Sequence, residues 1–156
     1  MDDAPRKILF VCTGNICRSA MAEHLLRHRS STKGLGLEVR SCGTAAEDWY
    51  EMPEPARALL AAEGVAPFEH KARLVTRDHL RWADLVLVMT HDHHDQVVGR
   101  FPEFTAKTRL LREAAGFGPQ EVEDPMGRPH EVFARCFAVL SESLDALERS
   151  AFRPAD

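Results

Sequence analysis

Hydrophobic residues in this chain form two kinds of pattern, short continuous runs and longer stretches with helical spacing. The continuous runs 8–11 and 85–89 are typical of strands that are buried on both faces. Residues 37–42 alternate between apolar and polar as a strand nearer a sheet edge does, and 108–111 fit a fourth short strand. The pattern therefore predicts four strands, two of them covered on both faces.

Stretches with helical spacing separate these strands. The predicted helices cover 19–29, 54–63, 76–83, 91–98 and 129–149. A turn-rich break is expected between the first helix and the second strand, at 30–36. Because strands and helices alternate, the fold class is α/β with three layers: a four-stranded parallel sheet flanked by helices and joined by right-handed crossovers.

The size and charge of the chain narrow its possible roles. Its 156 residues are enough for a buried core without metal or disulfide staples, and they predict one domain, 1–156. The net charge of −4, with both signs mixed, disfavours nucleic acid as a partner, and no apolar run is long enough to span a membrane. Four cysteines without Cys-x-x-Cys spacing suit a reducing compartment. We therefore expect a cytoplasmic monomer.

The first buried run leads directly into a loop, 12–18, whose residue types suit an anion-binding turn. Gly14 and Asn15 tolerate positive φ, so the loop can curl until successive backbone N–H groups converge. The helix that follows directs its free N–H groups and the positive end of its dipole to the same point. A tetrahedral oxyanion fits there, and the guanidinium of Arg18 suits two of its oxygens.

Cys12 lies at the base of this predicted anion site. The field that attracts a phosphate also favours a thiolate, which makes a cysteine nucleophilic at neutral pH. Ser19, at the start of the helix, is placed to cap the helix or to donate a hydrogen bond to the sulfur. Attack on a phosphate monoester would give a cysteinyl phosphate, and this chemistry requires no cofactor.

From Val11 to Ser19 the sequence resembles the signature of the low-molecular-weight protein tyrosine phosphatases, Val-Cys-x-Gly-Asn-Ile-Cys-Arg-Ser. The segment 70–73 also resembles this family, so the similarity extends over most of the chain. The resemblance implies a flavodoxin-like, phosphotyrosine phosphatase I-like fold in which Asn15 braces the loop and Ser19 stabilises the thiolate. The substrate-binding residues that it implies are Thr13, Gly14, Asn15, Ile16, Cys17, Ser19, Asp48 and Trp49.

A general acid is needed because the leaving oxygen must be protonated. Asp124 is followed by a proline that stiffens its loop, and it matches the Asp-Pro pair that supplies this acid in the family. Glu123 is the nearest rival. Asp48 and Trp49 match a family position where an aromatic side chain walls the pocket and packs on the substrate ring.

Two departures from the family pattern bear on the pocket. After the Asp-Pro pair this chain has Met126-Gly127 where many relatives have two tyrosines, which removes ring contacts from the pocket rim. Residue 90 is threonine where an aspartate is common in the family. The usual support of the acid loop is therefore missing, and His91 and Asp92 are the candidates to replace it.

The leading prediction is a metal-independent protein tyrosine phosphatase that acts on phosphorylated proteins. A protein arginine phosphatase is the alternative: Gly127 resembles that branch, whereas Ile16 stands where the branch has threonine and offers no hydroxyl to a guanidinium leaving group. An arsenate reductase is disfavoured because no cysteine lies between Gly43 and Arg135, and a non-catalytic phosphate-binding module because both a nucleophile and an acid are present. The polar stretch 91–95 is interpreted as a solvated helix face and not as a metal site.

Overall fold

A computed structural model describes residues 4–152, and one parallel sheet of four strands lies at its centre. The strands are β1 (Lys7–Cys12), β2 (Glu38–Gly43), β3 (Leu85–Val88) and β4 (Thr108–Leu110). Their spatial order is β2-β1-β3-β4, and every neighbouring pair runs parallel. The predicted four-stranded parallel α/β sheet is confirmed. The expected domain 1–156 also includes 1–3 and 153–156, which lie outside the described residues.

Helices cover both faces of this sheet. The α-helices are α1 (Arg18–Lys33), α2 (Glu54–Ala62), α3 (Arg77–Trp82), α4 (His91–Arg100), α5 (Leu111–Ala114) and α6 (His130–Ser150), and a 3-10 helix spans Pro102–Lys107. Alternate side chains of β1 enter two separate cores. Ile8 and Phe10 pack with residues of α1 and α6, whereas Leu9 and Val11 pack with residues of α3 and α4. This alternation produces the three layers.

Several element boundaries differ from the sequence prediction. α1 continues to Lys33 through part of the predicted break at 30–36, and it ends at Gly34, whose φ of 65° is left-handed. The polar residues after Arg29 therefore extend the helix. Their weak helix propensity costs little free energy compared with what the packing of α1 contributes. Similarly, α4 extends to Arg100, and Leu111 begins α5 instead of ending β4.

The carboxyl ends of β1 and β3 lie side by side, because these strands pair in parallel register from Ile8–Leu85 to Val11–Val88. The segments that follow them, 13–17 and the start of α4, therefore meet at one edge of the sheet. Open parallel α/β sheets bind their ligands at this edge. No helix among residues 4–152 combines the length and the apolar character that a membrane span requires.

Candidate active site

Residues 13–17 curl between β1 and α1 at the end of the first strand. Asn15 has a φ of 59° and is the only non-glycine residue between 4 and 152 with a positive φ. No side chain of residues 4–152 caps the first turn of α1, which begins at Arg18. The N–H groups of that turn are therefore available to a ligand, as an anion site requires.

The side chain of Asn15 is fully buried beneath the loop. Its amide nitrogen donates to the hydroxyls of Ser19 (2.9 Å) and Ser41 (2.7 Å), and its side-chain oxygen accepts the backbone N–H of Arg73 (3.0 Å). His70 Nε2 donates to the backbone carbonyl of Asn15 at 2.7 Å. These bonds hold Asn15 in its left-handed conformation. Asn15 and Ser19, which were expected to bind the substrate, therefore support the loop from behind and are absent from the cavity lining as the structure describes it.

The sulfur of Cys12 is held by a hydroxyl. Cys12 is 2 % exposed, and its Sγ lies 2.9 Å from Ser19 Oγ. Because the Ser19 oxygen already accepts from Asn15, its own hydrogen is free to donate to the sulfur; the other available acceptor, the Cys42 carbonyl, is farther away at 3.4 Å.

Arg18 is buried, and part of its guanidinium has no partner in the part of the chain that the structure describes. Its Nη1 donates to the Val122 carbonyl (3.1 Å), its Nη2 lies 3.7 Å from Asp124 Oδ2, and its Nε has no partner among residues 4–152. Val122 is anchored in turn, because its N–H donates to the carbonyl of Met89 at 3.0 Å. A buried N–H without a partner is costly, and an anion above Cys12 would satisfy it.

Asp124 borders the same cavity as Cys12, whereas Glu123 does not. The Asp124 side chain is 56 % exposed, and its Oδ1 accepts the N–H of Met126 at 3.1 Å, which fixes the direction of the carboxyl. Glu123 instead forms an ion pair with Arg135 on the surface at 3.2 Å. The geometry therefore favours Asp124 over its neighbour as the acid.

The segment before Asp124 is tied to the start of α4. The N–H of His91 donates to the Glu121 carboxylate at 2.7 Å, and its imidazole Nε2 donates to the Pro119 carbonyl at 3.1 Å. Of the two residues proposed to support the acid loop, His91 therefore makes the contact. Asp92 instead accepts a hydrogen bond from Gln96 within α4.

His93 is a site residue that the sequence interpretation missed. It is 2 % exposed, and its Nε2 lies 2.8 Å from the hydroxyl of Thr13 in the loop 13–17. Burial, and then the nearby Arg18 charge, lowers the pKa of His93 to about 4, so its imidazole is neutral. The prediction that 91–95 is a solvated face is therefore wrong for His93. Thr90, three residues before His93, was the sequence signal that could have placed His93 in the first turn of a helix. The Thr90 hydroxyl caps this helix by accepting the His93 N–H.

Cys12, Arg18 and Asp124 border one cavity of about 650 Å³. Apart from Cys12, Arg18 and Asp124, most of the cavity wall is apolar or aromatic. The other lining residues are Thr13, Gly14, Ile16, Cys17, Trp49, Tyr50, Glu51 and Met126. An apolar wall beside a cationic group suits a ligand with a charged end and an apolar body.

The aromatic part of this wall comes from Trp49 and Tyr50. Their rings meet edge to face with centroids 4.6 Å apart, and the Tyr50 ring packs beside Gly14. Trp49 is 72 % exposed, so most of its surface is available to a ligand. Asp48, which was grouped with Trp49 from the sequence, is exposed and lies outside the lining.

Comparison with known proteins connects this geometry to a family. Residues 7–153 match the family model described as low molecular weight phosphotyrosine protein phosphatase. The chain belongs to this family. It is a cysteine-dependent phosphatase, and the family and the enzyme class predicted from the sequence are confirmed.

Three similar proteins cover nearly the whole phosphatase chain. A protein-arginine-phosphatase of Geobacillus stearothermophilus is 37% identical over 143 residues, 92% of this chain and 94% of the relative. The low molecular weight protein-tyrosine phosphatase A of Mycobacterium tuberculosis is 34% identical over 149 residues, 92% of this chain and 90% of the relative. The structure of a low molecular weight protein tyrosine phosphatase from T. tengcongensis matches with a TM-score of 0.87 at 35% identity, covering 92% and 98% of the two chains.

Cys17, the second cysteine of the loop 13–17, has a raised pKa. Burial, and next the nearby Cys12 and Asp124, raises the pKa of the Cys17 thiol to about 12. Its Sγ lies 3.7 Å from the sulfur of Met126 at the cavity wall. Because a neutral thiol is a poor nucleophile, Cys17 is a weak competitor for the role of Cys12.

Gly43, at the end of β2, tests how closely the loop 13–17 packs against the neighbouring strand. A Cβ at this position would overlap the Thr13 carbonyl oxygen and would lie 3.0 Å from the backbone nitrogen of Asn15. Because both contacts are backbone atoms, the loop itself must move. We expect Gly43→Ala to lower turnover of para-nitrophenyl phosphate at least about tenfold and to reduce the free energy of unfolding by about 1–3 kcal/mol.

The matched control is Gly99→Ala on α4. A Cβ at Gly99 meets no atom within 4 Å, so this variant should keep full activity and gain slightly in stability. Initial rates and urea unfolding of the three proteins make the comparison. Wild-type activity in Gly43→Ala would show that the loop tolerates displacement and would contradict the expectation.

Proposed function

We propose that this protein hydrolyses phosphotyrosine in proteins through a cysteinyl-phosphate intermediate. The observation that carries the proposal is the shared cavity, in which the Cys12 sulfur, the Arg18 guanidinium and the Asp124 carboxyl border one space with an otherwise apolar and aromatic wall. A phosphoryl group above Cys12 would leave its aryl group beside Tyr50 and Trp49. Aromatic side chains favour a phenyl ring in such a position.

In the first half-reaction the Cys12 thiolate attacks phosphorus. The S–P bond forms as the P–O bond to the leaving group breaks, and Asp124 gives its proton to the departing oxygen. Arg18 and the N–H groups at the start of α1 stabilise the charge on the phosphoryl oxygens. This step leaves a cysteinyl phosphate and an ionised Asp124.

In the second half-reaction a water molecule releases the phosphate. The oxygen of the water attacks phosphorus while Asp124 accepts a proton from that water, and the S–P bond breaks. Inorganic phosphate leaves, and the Cys12 thiolate returns to the hydrogen bond from Ser19. One water is consumed, Asp124 is protonated again, and no oxidant or reductant is needed.

A protein arginine phosphatase is the second candidate, because the relative of that name in Geobacillus stearothermophilus is 37% identical to this chain. Gly127, which has a φ of 74° in the acid loop, also resembles that branch. Ile16 supports the tyrosine substrate instead. Its branched apolar side chain forms part of the cavity wall and gives no hydroxyl to the N–H groups of a guanidinium leaving group.

Peptides of one sequence that carry either phosphotyrosine or phosphoarginine separate the two candidates. We expect the wild-type kcat/KM to favour phosphotyrosine at least about 100-fold. Ile16→Thr should move this ratio toward phosphoarginine at least about tenfold, because the hydroxyl supplies an acceptor. Ile16→Val, which has the shape of threonine without the hydroxyl, should leave the ratio unchanged. A wild-type preference for phosphoarginine would overturn the substrate while leaving the cysteine chemistry intact.

We further propose that the protein works as a monomer in the cytoplasm on phosphorylated proteins. Its four cysteines are free and buried, which suits a reducing compartment. Three large hydrophobic side chains are exposed in the part of the chain that the structure describes, and two of them, Trp49 and Met126, border the cavity. The third, Leu74, is a single side chain, and its exposed apolar area is too small for a permanent subunit interface.

A further inference from the structure

Glu23, His24 and His70, here called the histidine-pair cluster, lie behind the nucleophile loop and outside the phosphate cavity. One potential ligand atom from each residue lies within 4.8 Å of the other two. His24 Nε2 and His70 Nδ1 are 2.8 Å apart, and Glu23 Oε1 is 4.0 Å from His70 Nδ1. We propose that this cluster binds one transition-metal ion of the zinc class per chain.

The donor set decides the class of ion. Two imidazole nitrogens and one carboxylate oxygen are ligands that zinc accepts in a tetrahedral site, whereas magnesium and calcium require oxygen ligands. The cluster also borders a second cavity of about 450 Å³, which can supply a water as the fourth ligand. The set resembles an open zinc site with three protein ligands more closely than a closed structural site.

The hydrogen bonds already orient His70 for this role. Because its Nε2–H donates to the Asn15 carbonyl, its Nδ1 carries the lone pair that faces the cluster. A metal-binding histidine commonly donates its second N–H to a backbone carbonyl in this way. His24 is held by stacking on Phe68, with ring centroids 3.8 Å apart.

Metal binding requires only a small rearrangement of the two rings. His24 Nε2–H now donates to His70 Nδ1, so the His24 proton must move to its Nδ1 to free a second lone pair. The two nitrogens must also separate from 2.8 Å to about 3.3 Å, the spacing that a tetrahedral ion with bonds of about 2.0 Å imposes.

The Arg27 charge next to Glu23 limits which cations the cluster attracts. The carboxylate of Glu23 is shared, because Arg27 pairs with Oε2 at 2.6 Å and Ser41 donates to Oε1. The Arg27 charge weakens the attraction of any cation, which leaves the imidazole nitrogens to provide most of the affinity and disfavours magnesium further.

The test uses a Cys12→Ser/Cys17→Ser chain, which removes the two thiols of the phosphate cavity. Calorimetric titration with zinc should give one site per chain, and magnesium should give none. Cobalt should bind at the same site and show visible absorption typical of tetrahedral coordination, without a thiolate charge-transfer band. His24→Gln in this background should lower the zinc affinity at least about 100-fold. His28→Gln, on the same helix but outside the cluster, should not change it.

A second measurement does not depend on how well the His24 variant folds. Zinc should shift the ring NMR signals of His24 and His70 in the double-serine chain and leave those of His28 unchanged. The proposal is overturned if zinc does not bind saturably, if the affinity is unchanged in a folded His24→Gln chain, or if the shifts fall on other histidines.

Discussion

Replacing Cys12 with serine is expected to abolish turnover of para-nitrophenyl phosphate, with a loss of at least about 10,000-fold in kcat, while phosphate still binds. A serine hydroxyl is not ionised at neutral pH, and none of the histidines that the structure describes lines the cavity to take its proton. Arg18 and the start of α1, which would bind the anion, are unchanged. Initial rates measure the first effect, and calorimetric titration with inorganic phosphate measures the second.

Cys17→Ser is the matched control for this experiment, because Cys17 is the other thiol in the cavity wall. Its raised pKa makes it a neutral thiol, so the control should keep its turnover within about tenfold of wild type. Equal losses in both variants would mean that any thiol change in the loop disrupts the site. Near-normal turnover in Cys12→Ser would remove Cys12 as the nucleophile.

Asp124→Ala should give the second largest loss, and its size should depend on the leaving group. For a poorly departing alkyl or phenyl phosphate we expect a fall of about 100- to 10,000-fold in kcat, because the leaving oxygen then departs without a proton. For para-nitrophenyl phosphate, whose leaving group is stable as an anion, the fall should be at least about tenfold smaller. A series of aryl phosphates measures this dependence.

Glu123→Ala is the control, since Glu123 is the adjacent carboxylate but pairs with Arg135 outside the cavity. It should leave the rates for every leaving group near wild type. A uniform loss across the series in Asp124→Ala would indicate a role in binding or in placing Arg18, which lies 3.7 Å away. The acid would then have to be sought elsewhere.

The layout of the fold was predictable because its central strands are apolar without interruption. Residues 8–11 and 85–89 carry side chains into two cores at once, so no polar position is tolerated in them. Helix ends were harder to predict. α1 passes through Ser30 because the left-handed Gly34, and not the polar run before it, ends the helix.

The site was predictable where one segment supplies it and less so where distant segments meet. The loop from Cys12 to Arg18 could be interpreted as an anion site from its own residue types. The contact of His93 with Thr13 spans 80 positions along the chain, and the contact of His70 with Asn15 spans 55. Such pairs form only because the sheet brings distant elements together. The spacing of residues within one segment does not reveal which elements these are.

The central claim is that a sulfur at the base of the loop 12–18 becomes covalently phosphorylated during turnover. The most direct measurement is rapid acid quenching during hydrolysis of para-nitrophenyl phosphate, followed by peptide mass spectrometry that preserves S–P bonds. One phosphoryl group on the peptide that carries Cys12, localised to its sulfur and absent from the Cys12→Ser chain, is the expected result. Full turnover with no phosphorylated cysteine, or with the phosphoryl group on Cys17, would contradict the claim.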